Sequence, residues 1–380
     1  MKILVIIHEF PPIGGGGGLI ARDLARALVQ RGHQVRVVTA HYGDLPKQET
    51  LDGVEIIRLV SGRKEAYRAK FFTMARFILA ASWYCSRQMK DFAPDIIHAH
   101  FAVPGGPAAK FVSDRKKVPY VLTVHLGDIP DASPEKTGKW FRLVYPFTHP
   151  FWNHASSIIA VSEFSRKMAL KKYAVDVQVI PNGIDYENIK VHAVETHAVP
   201  QIVFAGRFVP QKNLLQLVKV CETIQDLSWH CTLIGDGQDR QAVKQAIRDA
   251  NLENRISITG WVTPEEVTGI FKHSDIFFLP SKSEGLPISG IQAMTCGLAL
   301  VLSNTGGNPE IVESGKNGFV IDPEDTGGFS AALRLLLTDQ EKARAFRRNS
   351  LELAAKYDIR KVAQQYETVF DRVLARGKNQ

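Results

Sequence analysis

Short runs of β-branched and other apolar residues alternate with longer helical patterns along almost the whole chain, as in parallel sheets built from crossover units. In the first half the runs Ile3 to Ile7, Val35 to Thr39, Glu55 to Leu59, Ile96 to His98, Tyr120 to Val124 and Ser157 to Val161 read as strands. Apolar positions from Leu19 to Gln30 recur at helical spacing, and Arg31-Gly32-His33 closes that helix with glycine at its end. After Val177 to Ile180, Pro181-Asn182-Gly183 marks a turn. From there to Pro200 the chain has no periodicity and reads as a linker. A second series opens with QIVFAG at Gln201 and continues through Cys231 to Ile234, Ile256 to Thr259, Ile276 to Leu279, Ala299 to Leu302 and Gly318 to Ile321. A last helix is predicted over about Ile359 to Arg376. The fold class is therefore α/β, with two Rossmann-like, doubly wound parallel-sheet domains facing a central cleft. The expected divisions are 1-195 for the first domain with its linker, 196-356 for the second, and 357-380 for the terminal helix.

Length and composition agree: 380 residues suit two domains, and 45% hydrophobic with 23% charged residues is the balance of soluble globular chains. The opening MKILVII is interrupted by His8 and Glu9, which predicts a buried strand rather than a leader. Cys85, Cys221, Cys231 and Cys296 show no CxxC spacing, the usage expected of reduced thiols in the cytoplasm rather than of a zinc site. The net charge of +8 is unevenly placed. Up to Glu195, 26 Lys and Arg face 18 Asp and Glu, while the remainder holds 21 of each. An anionic partner for the first domain follows, such as a phospholipid surface, a pyrophosphate-linked lipid or an acidic polymer; the alternative is a solvated basic face. No nucleic-acid motif accompanies the charge.

Ligands of such sheets sit at the carboxyl ends of strands, which directs attention to four places. The run Gly14 to Gly18 follows the first strand, where backbone can approach a phosphate, or simply bend. A dinucleotide fingerprint does not fit, because the second strand ends in Val38-Thr39-Ala40-His41 without an acidic residue. In GRFVPQKN, Gly206 ends a strand, and Arg207 and Lys212 flank the exit as a fork and a point charge suited to a diphosphate. From Asp275 a buried strand empties into Ser281-Lys282-Ser283-Glu284-Gly285, and a helix is predicted from about Pro287. Its unpaired N–H groups make an anion site near Gly285 and Leu286. Glu284 beside such a site suits sugar hydroxyls, or else a helix-dipole contact without a ligand. Gln292 follows about two turns on, on a similar face. His125 closes the strand YVLTVH and points into the cleft, whereas His98 and His100 share one strand face and suit packing or internal hydrogen bonds.

The blocks FPPIGGGGG, ARALVQRGHQVRVVT, IIHAHFA, LTVHLGD, AVSEFS, IPNGID, FAGRFVPQKN, LIGDG, ITGWV, SEGLPISGIQAM and SNTGGNPEIVESGKNGFVID stand in this order. In them the chain resembles the retaining group 1 (family 4) glycosyltransferases of the GT-B fold over nearly its whole length. The resemblance implies that a sugar moves from a nucleotide-diphosphate sugar, a UDP-sugar being the expected type, to a hydroxyl of a glycan or lipid-linked acceptor. Polysaccharide or glycolipid synthesis in the cytoplasm, with peripheral contact to the inner membrane face, is the expected setting. It further implies His125, Glu284, Arg207 and Lys212 as the residues of the chemistry. Glu284 would touch sugar hydroxyls and Gln292 the ribose, in an E-x7-E element whose second glutamate is here an amide. Gly15 and Gly16 would face phosphate, Gly206 would precede the diphosphate pair, and Gly260 to Val262 would form the wall for the base. Gly285, Leu286, Pro287 and Ile288 would form the helix start behind Glu284, and the final helix would cross back to the first domain.

No D-x-D follows a strand, since Gly235-Asp236-Gly237-Gln238-Asp239 has the wrong spacing, so neither a metal nor a resident cofactor is expected. With Glu284 as the one carboxylate assigned to the cleft, rather than the close pair of retaining glycosidases, front-face transfer is the expected mechanism. A nucleotide-sugar epimerase and a non-catalytic nucleotide-sugar binding protein of the same fold are the alternatives. Basic residues flank aromatic stretches at Arg63 to Lys90 and Lys139 to Trp152, as at an anionic membrane surface or on helices packed against a sheet.

Overall fold

The computed structural model describes residues 1–66, 69–132, 144–194 and 197–378. They form two compact units, Met1–Gly183 with Ile359–Gln380, and Ile184–Asp358.

The first unit holds an eight-stranded sheet of β1 (Lys2–Ile6), β2 (Gln34–Ala40), β3 (Gln48–Leu51), β4 (Val54–Leu59), β5 (Ile96–His100), β6 (Tyr120–Val124), β7 (Ser157–Ala160) and β8 (Gln178–Val179), in the order 3-4-2-1-5-6-7-8. All neighbours are parallel except β3, which pairs antiparallel with β4 at the edge. The apolar runs of the central strands are buried on both faces, as a sheet covered by helices requires. On one side Ile3, Val5 and Ile7 pack with Leu24 and Leu28 of the helix Gly16–Gln30 and with Val362, Tyr366 and Phe370 of the final helix Ile359–Lys378. On the other, Leu4 and Ile6 pack with Phe77 and Ala81 of the helix Phe71–Trp83 and with Ala108 and Val112 of the helix Gly105–Lys116.

The second unit is a six-stranded parallel sheet of β9 (Gln201–Ala205), β10 (His230–Ile234), β11 (Ile256–Gly260), β12 (Ile276–Leu279), β13 (Ala299–Ser303) and β14 (Gly318–Ile321), ordered 11-10-9-12-13-14. Strand order reverses between β1 and β5 in the first sheet and between β9 and β12 in the second. At such switch points consecutive connections leave in opposite directions and open a crevice at the carboxyl edge. Pairing of β9 with β12 stops at Val203 and Phe277, before either strand ends.

The expected boundary at 195 and 196 lies outside the described residues. The stretch read as a linker is instead laid along the second unit. Ile184 bridges Asp358 and donates its N–H to the Tyr357 carbonyl at 2.8 Å, a short helix spans Tyr186–Ile189, and Val191 donates to the Thr295 carbonyl at 3.3 Å. His197 reaches Asp275 at 3.0 Å, where the buried Arg347 guanidinium also donates. The units accordingly divide at Gly183/Ile184 and Asp358/Ile359. Among the described residues no helix is long and apolar enough to cross a membrane.

Candidate active site

The polar residues singled out in the second unit gather at its switch point. Gly206 and Arg207 leave β9, a single 3-10 turn Pro210–Lys212 follows, and Lys212 Nζ lies 2.6 Å from Glu284 Oε1 on the loop leaving β12. Glu284 is 6% exposed, so this is a nearly buried ion pair spanning 72 residues of sequence. The loops are strapped together beside it. Gln211 Nε2 donates to the Ser283 carbonyl at 2.6 Å, and Lys282 N–H donates to the Gln211 carbonyl at 2.8 Å. The sequence placed Lys212 and Glu284 at two tasks; the structure joins them as partners. Desolvating two charges is offset only by close geometry and further hydrogen bonds. A ligand that presents phosphate to Lys212 and hydroxyls to Glu284 can take over both sides of the pair.

Gly285 is half-buried, Leu286 is buried, and Pro287 occupies the cap position of the helix Ile288–Thr295, with no side-chain cap on its first N–H groups. These groups and the positive end of the helix dipole suit an anion. Gln292, on the same helix, donates from Nε2 to Thr268 Oγ1 at 2.8 Å, a partner on the helix Pro264–Lys272 that sequence reasoning did not foresee. Gly260 ends β11 with φ +77°, followed by the exposed Trp261 and the half-buried Val262, before Thr263 and Glu266 cap that same helix reciprocally.

Two supporting glycine loops were also missed. A Cβ at Gly306, whose φ is +58°, would stand 1.8 Å from the Glu284 carbonyl oxygen, and one at Gly307 would stand 2.0 Å from that of Gly285. At Gly235 (φ +131°) it would lie 2.0 Å from the Gly206 carbonyl oxygen. The backbones of TGGN and GDG are thus pressed against the two functional loops, an approach only glycine permits. The signal was present in the paired glycines; their partners, far away in sequence, were not.

At the first unit's switch point, Gly15 is the cap residue of the helix Gly16–Gln30, and a Cβ there would meet nothing within 4 Å. The helix begins three residues earlier than the apolar periodicity indicates, so Gly16 to Gly18 form its first turn instead of a turn before it. Glycine is required in that turn, since a Cβ at Gly17 would lie 2.5 Å from Phe101 Cζ. His125 follows β6 and is buried. Asp128, also missed, fixes its backbone: Oδ1 accepts the His125 N–H at 3.0 Å and Oδ2 the Ala102 N–H at 2.7 Å, tying the exits of β5 and β6. His125 Nε2 lies 3.4 Å from His100 Nδ1, and His98 Nε2 lies 2.8 Å from Thr123 Oγ1, which in turn meets the Tyr366 hydroxyl at 3.2 Å. Burial lowers His98 to about 3 and holds His100 well below its ordinary value, so both rings are neutral near pH 7. His8, at the exit of β1, is lowered to about 4 by burial, against the raising effect of Glu9.

Comparison with known proteins agrees with this arrangement. The family model for glycosyltransferase family 4 matches residues 14–188, and that for glycosyl transferases group 1 matches residues 185–352. The chain is 31% identical over 333 residues to TuaC of Bacillus subtilis (strain 168), a glycosyltransferase named for teichuronic acid biosynthesis, covering 81% of this chain and 82% of the relative. Among solved structures, sucrose-phosphate synthase from Thermosynechococcus elongatus superposes with a TM-score of 0.86 at 20% identity over 99% of each chain. Anabaena HepE in complex with UDP-glucose superposes with a TM-score of 0.78 at 20% identity, over 98% of this chain and 100% of that one. The two structural likenesses show the GT-B fold. With the two family models together matching residues 14–352 and TuaC aligned over about four-fifths of each sequence, the chain belongs to the group 1, family 4 glycosyltransferases.

Proposed function

We propose that this glycosyltransferase is a retaining hexosyltransferase that moves a sugar from a UDP-sugar to a hydroxyl of a glycan or lipid-linked acceptor. The setting would be cell-surface polysaccharide or glycolipid synthesis at the inner membrane face. The observation that carries the reading is the Lys212–Glu284 pair at the switch point, 2.6 Å apart beside an uncapped helix start. In this reading Lys212, Arg207 and the helix N-terminus hold the diphosphate, Glu284 turns to the sugar hydroxyls, Gln292 meets the ribose and Gly260 to Val262 flank the base. The first unit contributes the glycine turn at Gly15 and Gly16, and His125 as a sugar contact. UDP-glucose in HepE and the name of TuaC support the donor and setting.

The reaction needs charge stabilised on the departing diphosphate, which cations and backbone N–H groups supply. The anomeric carbon–oxygen bond to the diphosphate breaks while the bond to the acceptor oxygen forms on the same face, and the acceptor proton passes to the departing phosphate oxygen. We assign no resident cofactor and no metal to this chemistry; the nucleotide sugar is a substrate. The test is a thermal-shift screen of nucleoside diphosphates and their sugars, followed by NMR of the product. A raised Tm with UDP-sugars and a retained anomeric configuration are expected. Epimerised donor without acceptor, or an inverted product, sinks the reading.

A further inference from the structure

On the first unit, the helix layer away from the final helix is apolar on both sides. The helix Phe71–Trp83 buries Phe77 and Ala81 against the sheet, yet its outward stripe at spacings of four, three and four is Phe72, Arg76, Leu79 and Trp83. Phe72 is 77% exposed, Leu79 71% and Trp83 53%. Beside this stripe an open trough of about 460 Å3 runs between that helix and Gly105–Lys116, lined by Met74, Ile78, Pro107, Phe111, Phe147 and Phe151 among others. Phe147 at its rim is 74% exposed. Soluble monomers rarely leave a contiguous face of this kind uncovered.

Charge identifies what covers it. Residues 70–90 carry Lys70, Arg76, Arg87 and Lys90 and no acidic residue, and residues 105–117 carry four cations and only Asp114. Lys70, Arg76, Arg87, Lys90, Arg115 and Lys117 are all exposed. Aromatic and aliphatic side chains flanked by cations match the boundary between acyl chains and anionic headgroups, where long basic side chains reach phosphates while the apolar stripe sinks. A second copy of this chain would bring cations against cations. We infer that this face docks on an anionic lipid bilayer through Phe72, Leu79 and Trp83, with the trough open to a lipid hydrocarbon chain. The inference rests on the proposed membrane-side acceptor and names the surface that meets it. Of the two aromatic stretches that suggest such contact, Tyr67, Arg68 and residues 139–143 lie outside the described residues and take no part.

The experiment is co-sedimentation of the full chain with phosphatidylglycerol or phosphatidylcholine vesicles at low and high salt, alongside UDP release from a UDP-sugar in solution. Wild type should bind phosphatidylglycerol vesicles, and binding should weaken about tenfold or more between low and high salt. The Phe72→Ser/Leu79→Ser/Trp83→Ser variant should bind at least about tenfold more weakly with UDP release unchanged. Arg87→Glu/Lys90→Glu should lose the preference for phosphatidylglycerol. Wild type that stays in the supernatant, or a triple variant that binds as wild type does, overturns the inference. So does a dimer in sedimentation velocity that the triple variant abolishes. Vesicle binding without donor turnover would instead overturn the proposed function and leave the docking face standing.

Discussion

At its switch point the first sheet presents glycine backbone and histidines, with His8 and His100 held neutral by burial, whereas the second presents a charged lysine–glutamate pair in nearly the same topological place. The neutral histidines there lose little on desolvation, although Glu9 stands 4.0 Å from His8 and the buried Arg63 guanidinium donates to the His8 carbonyl. The pair in the second is costly to desolvate and remains only while each charge is answered. An arriving diphosphate sugar answers both, so the second unit is built to exchange an internal partner for a ligand. The largest expected effect therefore lies there. Glu284→Ala should lower UDP release by roughly 10²–10³-fold, the scale of losing one well-placed polar contact to a reacting group. Lys212→Met placed in a Glu284→Gln background should restore Tm lost by the single variant but not turnover, because it removes the stranded charge and not the missing function. Recovery of turnover would show that the pair is structural.

Acid should separate the units next. His8 is lowered to about 4 and His98 to about 3, below the 6.5 of the unfolded chain, so between those values the unfolded state binds more protons. Stability from these groups is fully present above about pH 6.5 and is lost as pH falls toward their folded values. On the order of 2 kcal/mol is expected from His8 alone between pH 7 and pH 5. Hydrogen exchange, corrected for intrinsic rates, should show β1, β5 and β6 losing protection before β9 and β12. Simultaneous loss in both sheets would contradict the comparison.

The glycines give a third contrast. A methyl at Gly306 meets the Glu284 carbonyl oxygen and a positive φ, while a methyl at Gly15 meets open space on extended backbone. Gly306→Ala should cost about 1–3 kcal/mol, read as a Tm several degrees lower. Gly15→Ala should change stability by about 0.5 kcal/mol or less. Equal losses would mean that the TGGN loop relaxes away from Glu284.

Much of this was legible from the chain. Buried strands such as Phe277-Phe278 and Val121-Leu122 declare themselves because both faces are apolar, and Glu284, Arg207 and Lys212 stand where strands end. The edge strand β3, sequence QETL, was not, since it is largely exposed and carries no apolar period. Asp128, Gly235 and Gly306 escaped for another reason. Their importance lies in the backbone they touch: Ala102 lies 26 residues from Asp128, and the Glu284 carbonyl oxygen is set against Gly306 by the turn of the chain rather than by any local motif. The Lys212–Glu284 pair has the same character, because each residue signals a strand exit and only the order of strands brings the exits together.

Gln292 is the smallest and most discriminating case. Its amide donates to Thr268 Oγ1 at 2.8 Å, while the Thr268 hydroxyl donates to the Pro264 carbonyl at 3.0 Å. A glutamate at 292 has no amide proton, so Thr268 would have to abandon Pro264 or leave the carboxylate without that contact. Gln292→Glu should therefore lower stability by about 1 kcal/mol, the net worth of one hydrogen bond. It should strengthen a ribose contact at the same time, because a carboxylate accepts more strongly than an amide. The first effect is read in Tm and the second in binding, where calorimetric titration should find the Kd for UDP lowered by less than about tenfold. Thr268→Ala separates them by freeing the amide without altering residue 292. If Gln292→Glu changed UDP affinity by a hundredfold while Thr268→Ala changed nothing, Gln292 would be set by the ligand rather than by its neighbouring helix.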